Sequence, residues 1–122
     1  MKSGPVPFAY NEPMKPLNPQ AVIEKMVRRI VRKFKPDQVV LFGSYARGTA
    51  GPDSDVDLLV VMPVEGPKIR KVIEIRVALG GMGISKDIVV FTPDEVRRYR
   101  DVVGTILYPA YREGKILYER SA

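Results

Sequence analysis

Apolar residues along this chain fall into two rhythms, one with the helical period of about 3.6 residues and one of short, nearly unbroken runs. Val22, Ile23, Met26, Val27, Ile30, Val31 and Phe34 recur at helical spacing, which predicts an amphipathic helix packed on a sheet. Asn18-Pro19 stands in front of them and reads as an N-cap with proline at the first helical position. Lys35-Pro36-Asp37 ends the helix and turns the chain into a strand from Gln38 to Phe42. A second apolar run follows Asp55 and ends at Met62, and a third lies at Lys86–Phe91. Between those two, Ile69, Val72, Ile73, Val77 and Leu79 mark a helix that Gly80-Gly81 terminates. A crossover helix there brings the third strand back to the same sheet. Thr92-Pro93-Asp94-Glu95 is a capping box with proline at its first helical position. The helix it opens turns Val96, Tyr99, Val103 and Leu107 toward the core. Gly114 to Glu119 reads as a turn and a short edge strand. The pattern predicts an α/β (α+β) fold, a small mixed β-sheet flanked by helices, with no internal repeat.

With 122 residues there is room for one compact domain. Pro5, Pro7, Pro13, Pro16 and Pro19 exclude a helix or a central strand from the first stretch. Residues 1–17 are therefore expected to form a Pro-rich arm, anchored through Phe8, Tyr10 and Met14 or left free, and residues 18–122 a single domain.

The chemistry concentrates between the first two strands, in Leu41 to Met62, LFGSYARGTAGPDSDVDLLVVM. Side chains alternate faces along a strand, so Asp55 and Asp57 share one face while Val56 and Leu58 point into the core. Like charges so placed raise the energy of the ionised pair unless a cation sits between them, and Mg²⁺ takes carboxylate oxygens together with substrate phosphates. Strand propensity disfavours Asp inside a Leu/Val run, which weighs against a merely polar strand face. Gly43 lets the backbone come close to a ligand, Ser44 supplies a hydroxyl and an amide, and N–H groups opening a short helix over Ser44 to Arg47 bind an anion. Gly51-Pro52-Asp53-Ser54 is a strong turn, in which Asp53 is only a turn residue and Ser54 bonds the local backbone. Triphosphate on one side and metal on the other describe a nucleotide site.

Composition narrows the chemistry. Cys and His are both absent, which removes the usual Cys/His zinc sites, thiol nucleophiles and Ser-His-Asp relays. A net charge of +6 favours polyanionic ligands, nucleotide or nucleic acid, or an acidic partner. Lys25, Arg28, Arg29, Arg32, Lys33 and Lys35 crowd one side of the first helix, and a solvated face is the commoner cause of such a run. No stretch approaches the ~20 apolar residues of a membrane span, and no signal-peptide apolar region stands at the start. A cytoplasmic protein without membrane contact is expected.

Gly43-Ser44, ten residues, then Asp55-Val56-Asp57-Leu58 resembles the nucleotidyltransferase pattern of the DNA polymerase beta superfamily. The longer text GSYARGT with SDVDLLV is similar to the minimal nucleotidyltransferases, small prokaryotic proteins paired with a HEPN-domain toxin. The resemblance covers the chain from about Asn18 onward, and its two motifs at this spacing are specific together. It implies the nucleotidyltransferase fold and transfer of AMP from ATP to a hydroxyl on a partner protein, a tyrosine of a HEPN ribonuclease, in an antitoxin role. It implies that Asp55 and Asp57 hold two Mg²⁺, and it makes Asp87, at the start of the neighbouring strand, a third carboxylate that binds metal and helps deprotonate the acceptor. Gly43 and Ser44 would cradle the triphosphate, and Arg47 would neutralise it or bind the partner. Two other readings stay open: a degenerate module that silences a HEPN toxin by contact alone, and a small-molecule nucleotidyltransferase. Direct action on nucleic acid is not favoured, and self-association stays open.

Overall fold

Asn18 and Pro19 start the first helix of the computed structural model, which describes residues 18–121; the arm expected over residues 1–17 lies outside the described residues. The Asn18 side chain accepts a hydrogen bond from the Ala21 N–H at 3.3 Å. Helix α1 runs Pro19–Phe34 and buries Ile23, Met26, Val27 and Ile30 in one stripe. Lys35 ends it in the left-handed conformation, φ 49°, and Pro36 prevents continuation. The remaining described elements are β1 (Gln38–Phe42), α2 (Ser44–Arg47), β2 (Val56–Val61), α3 (Lys68–Ala78), β3 (Lys86–Phe91), α4 (Pro93–Tyr99), α5 (Leu107–Glu113) and β4 (Lys115–Glu119). None of the described helices is long and apolar enough to cross a membrane.

The sheet is mixed, in the order β3-β2-β1-β4. β1 lies antiparallel to both β2 and β4, while β2 and β3 run parallel, joined by the crossover α3. β2 is central and almost wholly buried; Asp57 alone in that strand keeps partial exposure. Alternation sends Val56, Leu58 and Val60 into a core built with Ile23, Met26 and Ile30 of α1 and Ile75 and Leu79 around α3. Leu59 and Val61 face the other way, onto Val96, Leu107 and Ala110 of α4 and α5. The mixed sheet between helices is the expected architecture.

Two helices depart from expectation. In α3 the structure buries Ile75 and Leu79 and leaves Ile69, Ile73 and Val77 at 61%, 53% and 76% exposure. Both stripes are apolar, and geometry decides between them. Ile69, Ile73 and Val77 step by four residues each, so the stripe drifts by about 80° around the helix over its length. Val72, Ile75 and Leu79 step by three and then four, which leaves Val72 and Leu79 about 20° apart and the whole set within an arc of about 60°, the narrower of the two.

The helix opened by Thr92 is the second departure. Its capping box forms as expected: the Thr92 hydroxyl accepts from the Glu95 N–H at 3.2 Å, and the Glu95 carboxylate accepts from the Thr92 N–H at 2.9 Å. That backbone N–H holds the Glu95 carboxyl below the ordinary carboxylate range, and Lys68 adds to the effect. The helix ends at Tyr99, however, and Leu107 reaches the core from a separate helix, α5. Gly104, at φ 98°, cannot continue a right-handed helix. The Thr105 hydroxyl lies in hydrogen-bond reach of the carbonyls of Tyr99 and Val102 at 3.1 and 2.8 Å, beside the bonds those carbonyls accept from the Val102 and Thr105 N–H groups. Val103 is consequently exposed rather than core, and Tyr99 is largely so. The edge strand β4 falls where expected.

The choice of α3 face can be checked by unfolding in urea. Ile75→Ala should cost about 2–5 kcal/mol through the cavity it leaves, and Ile73→Ala no more than about 0.5 kcal/mol. Equal losses at the two positions would mean that the other face meets the sheet.

Candidate active site

β1 and β2 pair so that Phe42 stands directly opposite Asp57, and the next residue of the chain is Gly43. Its backbone, φ 73° and ψ −156°, lies in a region that essentially only glycine occupies. A Cβ at this position would overlap Oδ2 of Asp57 and lie 3.0 Å from its Cγ. Glycine is thus required twice over, and what comes closest to its bare Cα is a carboxylate of the site itself. Gly43 then opens α2, whose N–H groups of Ala46 and Arg47 both donate to the Gly43 carbonyl at 3.1 Å. With α2 one turn long, an anion there would be held by individual N–H groups and the Ser44 hydroxyl rather than by a macrodipole. Gly48 closes the turn at φ 79°.

The chain returns through the turn at 51–54. The Gly51 N–H donates to the Ser54 hydroxyl at 2.8 Å, and the Ser54 N–H to the Gly51 carbonyl at 3.1 Å. Ser54 therefore serves the local backbone as expected, and Asp53 sits exposed in the turn. Asp55 is exposed just before β2 begins, Val56 is fully buried, and Asp57 is half-buried on the first turn of the alternation. Parallel pairing with β3 sets Asp87 beside Asp57, anchored where the Val56 N–H donates to the Ser85 carbonyl at 2.8 Å.

The electrostatics follow from this placement. Burial pushes the Asp57 carboxyl above its ordinary range, the negative charges of Asp87 and Asp55 push it further, and Arg47 pulls it back. The fold thus brings Asp87, Asp55 and Arg47 within electrostatic reach of Asp57, which shares its sheet face with Leu59 and Val61. Two ion pairs trim the charge. Arg47 meets Glu113 of α5 at 3.4 Å, and Arg76 of α3 meets Oδ1 of Asp87 at 3.1 Å. Among the described residues no three acidic side chains converge tightly enough to hold one metal ion, and one oxygen of Asp87 is taken by Arg76. The donor set nevertheless fits a divalent cation in kind: hard oxygen ligands whose mutual repulsion at Asp57 such an ion would relieve. A cleft of about 430 Å³ opens at the same end of the sheet, between Tyr45, the 51–54 turn and residues 83–85, and the three carboxylates are not in its walls. Arg76 and Glu113 had no sequence signal; each meets its partner only through the packing of a helix.

The fold and these motifs define a class. The model of the nucleotidyltransferase domain family matches residues 23–119, and the chain belongs to that family. A candidate protein adenylyltransferase of Methanocaldococcus jannaschii is 48% identical over 42 residues, 33% of this chain and 29% of the relative. The match spans under a third of that relative's length. Among solved structures, a candidate nucleotidyltransferase from Sulfolobus solfataricus superposes with a TM-score of 0.51 at 22% identity, covering 82% of this chain and 79% of that one. A toxin–antitoxin complex with AMP-PNP gives 0.53 at 24% identity, covering 80% and 74%. A mutant of the toxin–antitoxin pair MntA-HpeT gives 0.52 at 21% identity with the same coverage. At these identities the likeness establishes the nucleotidyltransferase fold.

The contact between Gly43 and Asp57 is testable by a double-mutant cycle. Gly43→Ala should cost about 1–3 kcal/mol from its backbone conformation, plus the displacement of Asp57. In an Asp57→Ala background only the backbone part should remain, giving a coupling above about 0.5 kcal/mol; strict additivity in thermal unfolding would refute the contact.

The raised Asp57 carboxyl also predicts a pH dependence. Because its folded pKa lies above the ordinary 3.8, the folded state binds more protons in that window. Stability from this group is full below about pH 3.8 and is lost as pH rises through the folded value. In chelator at pH 7, Asp57→Asn should therefore melt higher than wild type, with the gap closing on acidification; a lower melting temperature at pH 7 would contradict this.

Proposed function

We propose that this chain is a Mg²⁺-dependent nucleotidyltransferase that moves AMP from ATP to a hydroxyl on a partner protein, a tyrosine of a HEPN ribonuclease toxin. The observation that carries the reading is the seating of Asp57 against Gly43, which joins the Gly-Ser loop to the carboxylates in one small volume. The family membership and the adenylyltransferase match support transfer of a nucleotide to protein. The fold shared with a toxin–antitoxin complex holding AMP-PNP supports a nucleotide substrate and a toxin partner. The HEPN identity of that partner rests on the resemblance of the motifs to the minimal nucleotidyltransferases.

In this reading Gly43 and Ser44 face the triphosphate and Arg47 offsets its charge. Asp55, Asp57 and Asp87 would hold two Mg²⁺, which when bound neutralise and align the attacking and leaving oxygens. The acceptor oxygen bonds to the α-phosphorus as the bond to the bridging oxygen breaks, and pyrophosphate departs with its electron pair. Asp87 takes the hydroxyl proton. Positioning the acceptor in line is worth several kcal/mol of barrier, and the partner protein presents the hydroxyl that the free chain does not. One observation favours the rival, silencing by contact: the three carboxylates do not yet converge.

The discriminating experiment incubates the chain with its HEPN partner and Mg·ATP and reads the partner's intact mass. A rise by one or more AMP units is expected, and Asp55→Asn, Asp57→Asn and Asp87→Asn should each abolish it without dissolving the complex. No mass change with any of the four nucleotides, together with full suppression of the ribonuclease by the triple variant, would establish the contact-only mode.

A further inference from the structure

Asp87 lies on β3, at the edge of the sheet, so it can be reached from two directions. Across the sheet its register partner is Asp57. Around the edge it meets α3. Ile75 and Leu79 fix that helix in the core, and the residue after Ile75 is Arg76. The guanidinium of Arg76 makes two contacts with β3: Nη2 donates to Asp87 Oδ1 at 3.1 Å, and Nη1 to the Lys86 carbonyl at 3.4 Å. The second contact holds the guanidinium to the strand, so the first sets where the Asp87 carboxylate points. Arg47, the other cation beside the carboxylates, is already paired with Glu113.

We infer that Arg76 is a positioning residue, the counter-ion that occupies Oδ1 of Asp87 until a divalent cation takes its place. This rests on the reading of the three carboxylates as a metal site. Both partners of the pair are about half exposed, and an exposed pair is weak. It can order the carboxylate and still yield to a doubly charged ion. Exchange then turns Oδ1 of the third carboxylate over to the ion and frees a guanidinium at the edge of the site. A direct consequence is competition: Arg76 and the metal ion oppose each other at Asp87, and removing the arginine should tighten metal binding.

The test is titration of the nucleotide-free full-length chain with Mn²⁺, read by the electron paramagnetic resonance of the free ion. Asp57→Asn serves as the check on the metal site itself, and it should weaken binding. Arg76→Ala should tighten it by up to about fivefold, the upper end of what an exposed ion pair spans. Arg76→Gln, which keeps the aliphatic stem, should do the same, and Arg76→Lys should stay near wild type. In an Asp87→Asn background Arg76→Ala should change nothing. If Arg76 only staples α3 to β3, its removal will lower the melting temperature and leave Mn²⁺ affinity unchanged, and the inference fails. It also fails if the gain persists in the Asp87→Asn background, because the effect is then general charge and not the pair. Wild type and Asp57→Asn binding Mn²⁺ equally would overturn the metal site beneath it instead.

Discussion

The contact between the bare Cα of Gly43 and the carboxylate of Asp57 ties together the two strands, the loop and the charge cluster. It exists because β1 and β2 pair with Phe42 opposite Asp57, which puts the first residue after β1 against the second residue of β2. A side chain at Gly43 would collide with the carboxylate, and a one-residue slip in register would turn Asp57 into the apolar core. The intervening chain is too long for a hairpin turn. It is taken up by one turn of helix and a self-bonded turn at 51–54, so the loop needs little from the rest of the domain and can present its backbone to solvent.

Asp57 is tolerable only because of where β2 places it. The strand is buried on both faces beyond this point, and a carboxylate two residues further on would face Val96 and Leu107, where ionisation is costly. At the start of the strand it is half-buried instead. The cost shows as an upward push on its proton affinity from burial and from two acidic neighbours. The two helical layers are uneven in a way that suits this. α1 and α3 cover one face with a large core, whereas α4 and α5 gather a smaller one on the other, leaving the Asp55, Asp57 and Asp87 end of that face accessible.

Much of this was legible because the signals were local. Asn18-Pro19, the Thr92–Glu95 box and the turn at 51–54 act through bonds spanning a few residues, and each formed as read. The alternation that turns Asp57 away from Val56 and Leu58 needs only a strand. What failed depended on partners far along the chain. Ile69, Ile73 and Val77 are as apolar as Val72, Ile75 and Leu79, and only the line of the sheet beneath α3 decides between them. Val103 and Leu107 keep helical spacing across Gly104, so periodicity alone could not find the break. Gly43 was legible as a close approach, but the group approaching it is Asp57, which only strand register reveals.

The crossover helix illustrates why a site cannot be reduced to its motif. α3 carries none of the candidate residues read from the sequence, yet its connection is what makes β3 parallel to β2, and parallel pairing is what brings the start of β3 level with the start of β2. Had β3 returned as a hairpin, antiparallel and directly after β2, Asp87 at its start would pair near Val61 and stand at the far end of the sheet from Asp57. The helix that imposes the parallel path must run back along the edge strand, and so it delivers a side chain, Arg76, to the carboxylate it has positioned. The location of Asp87 and the identity of its counter-ion are therefore two consequences of one connection.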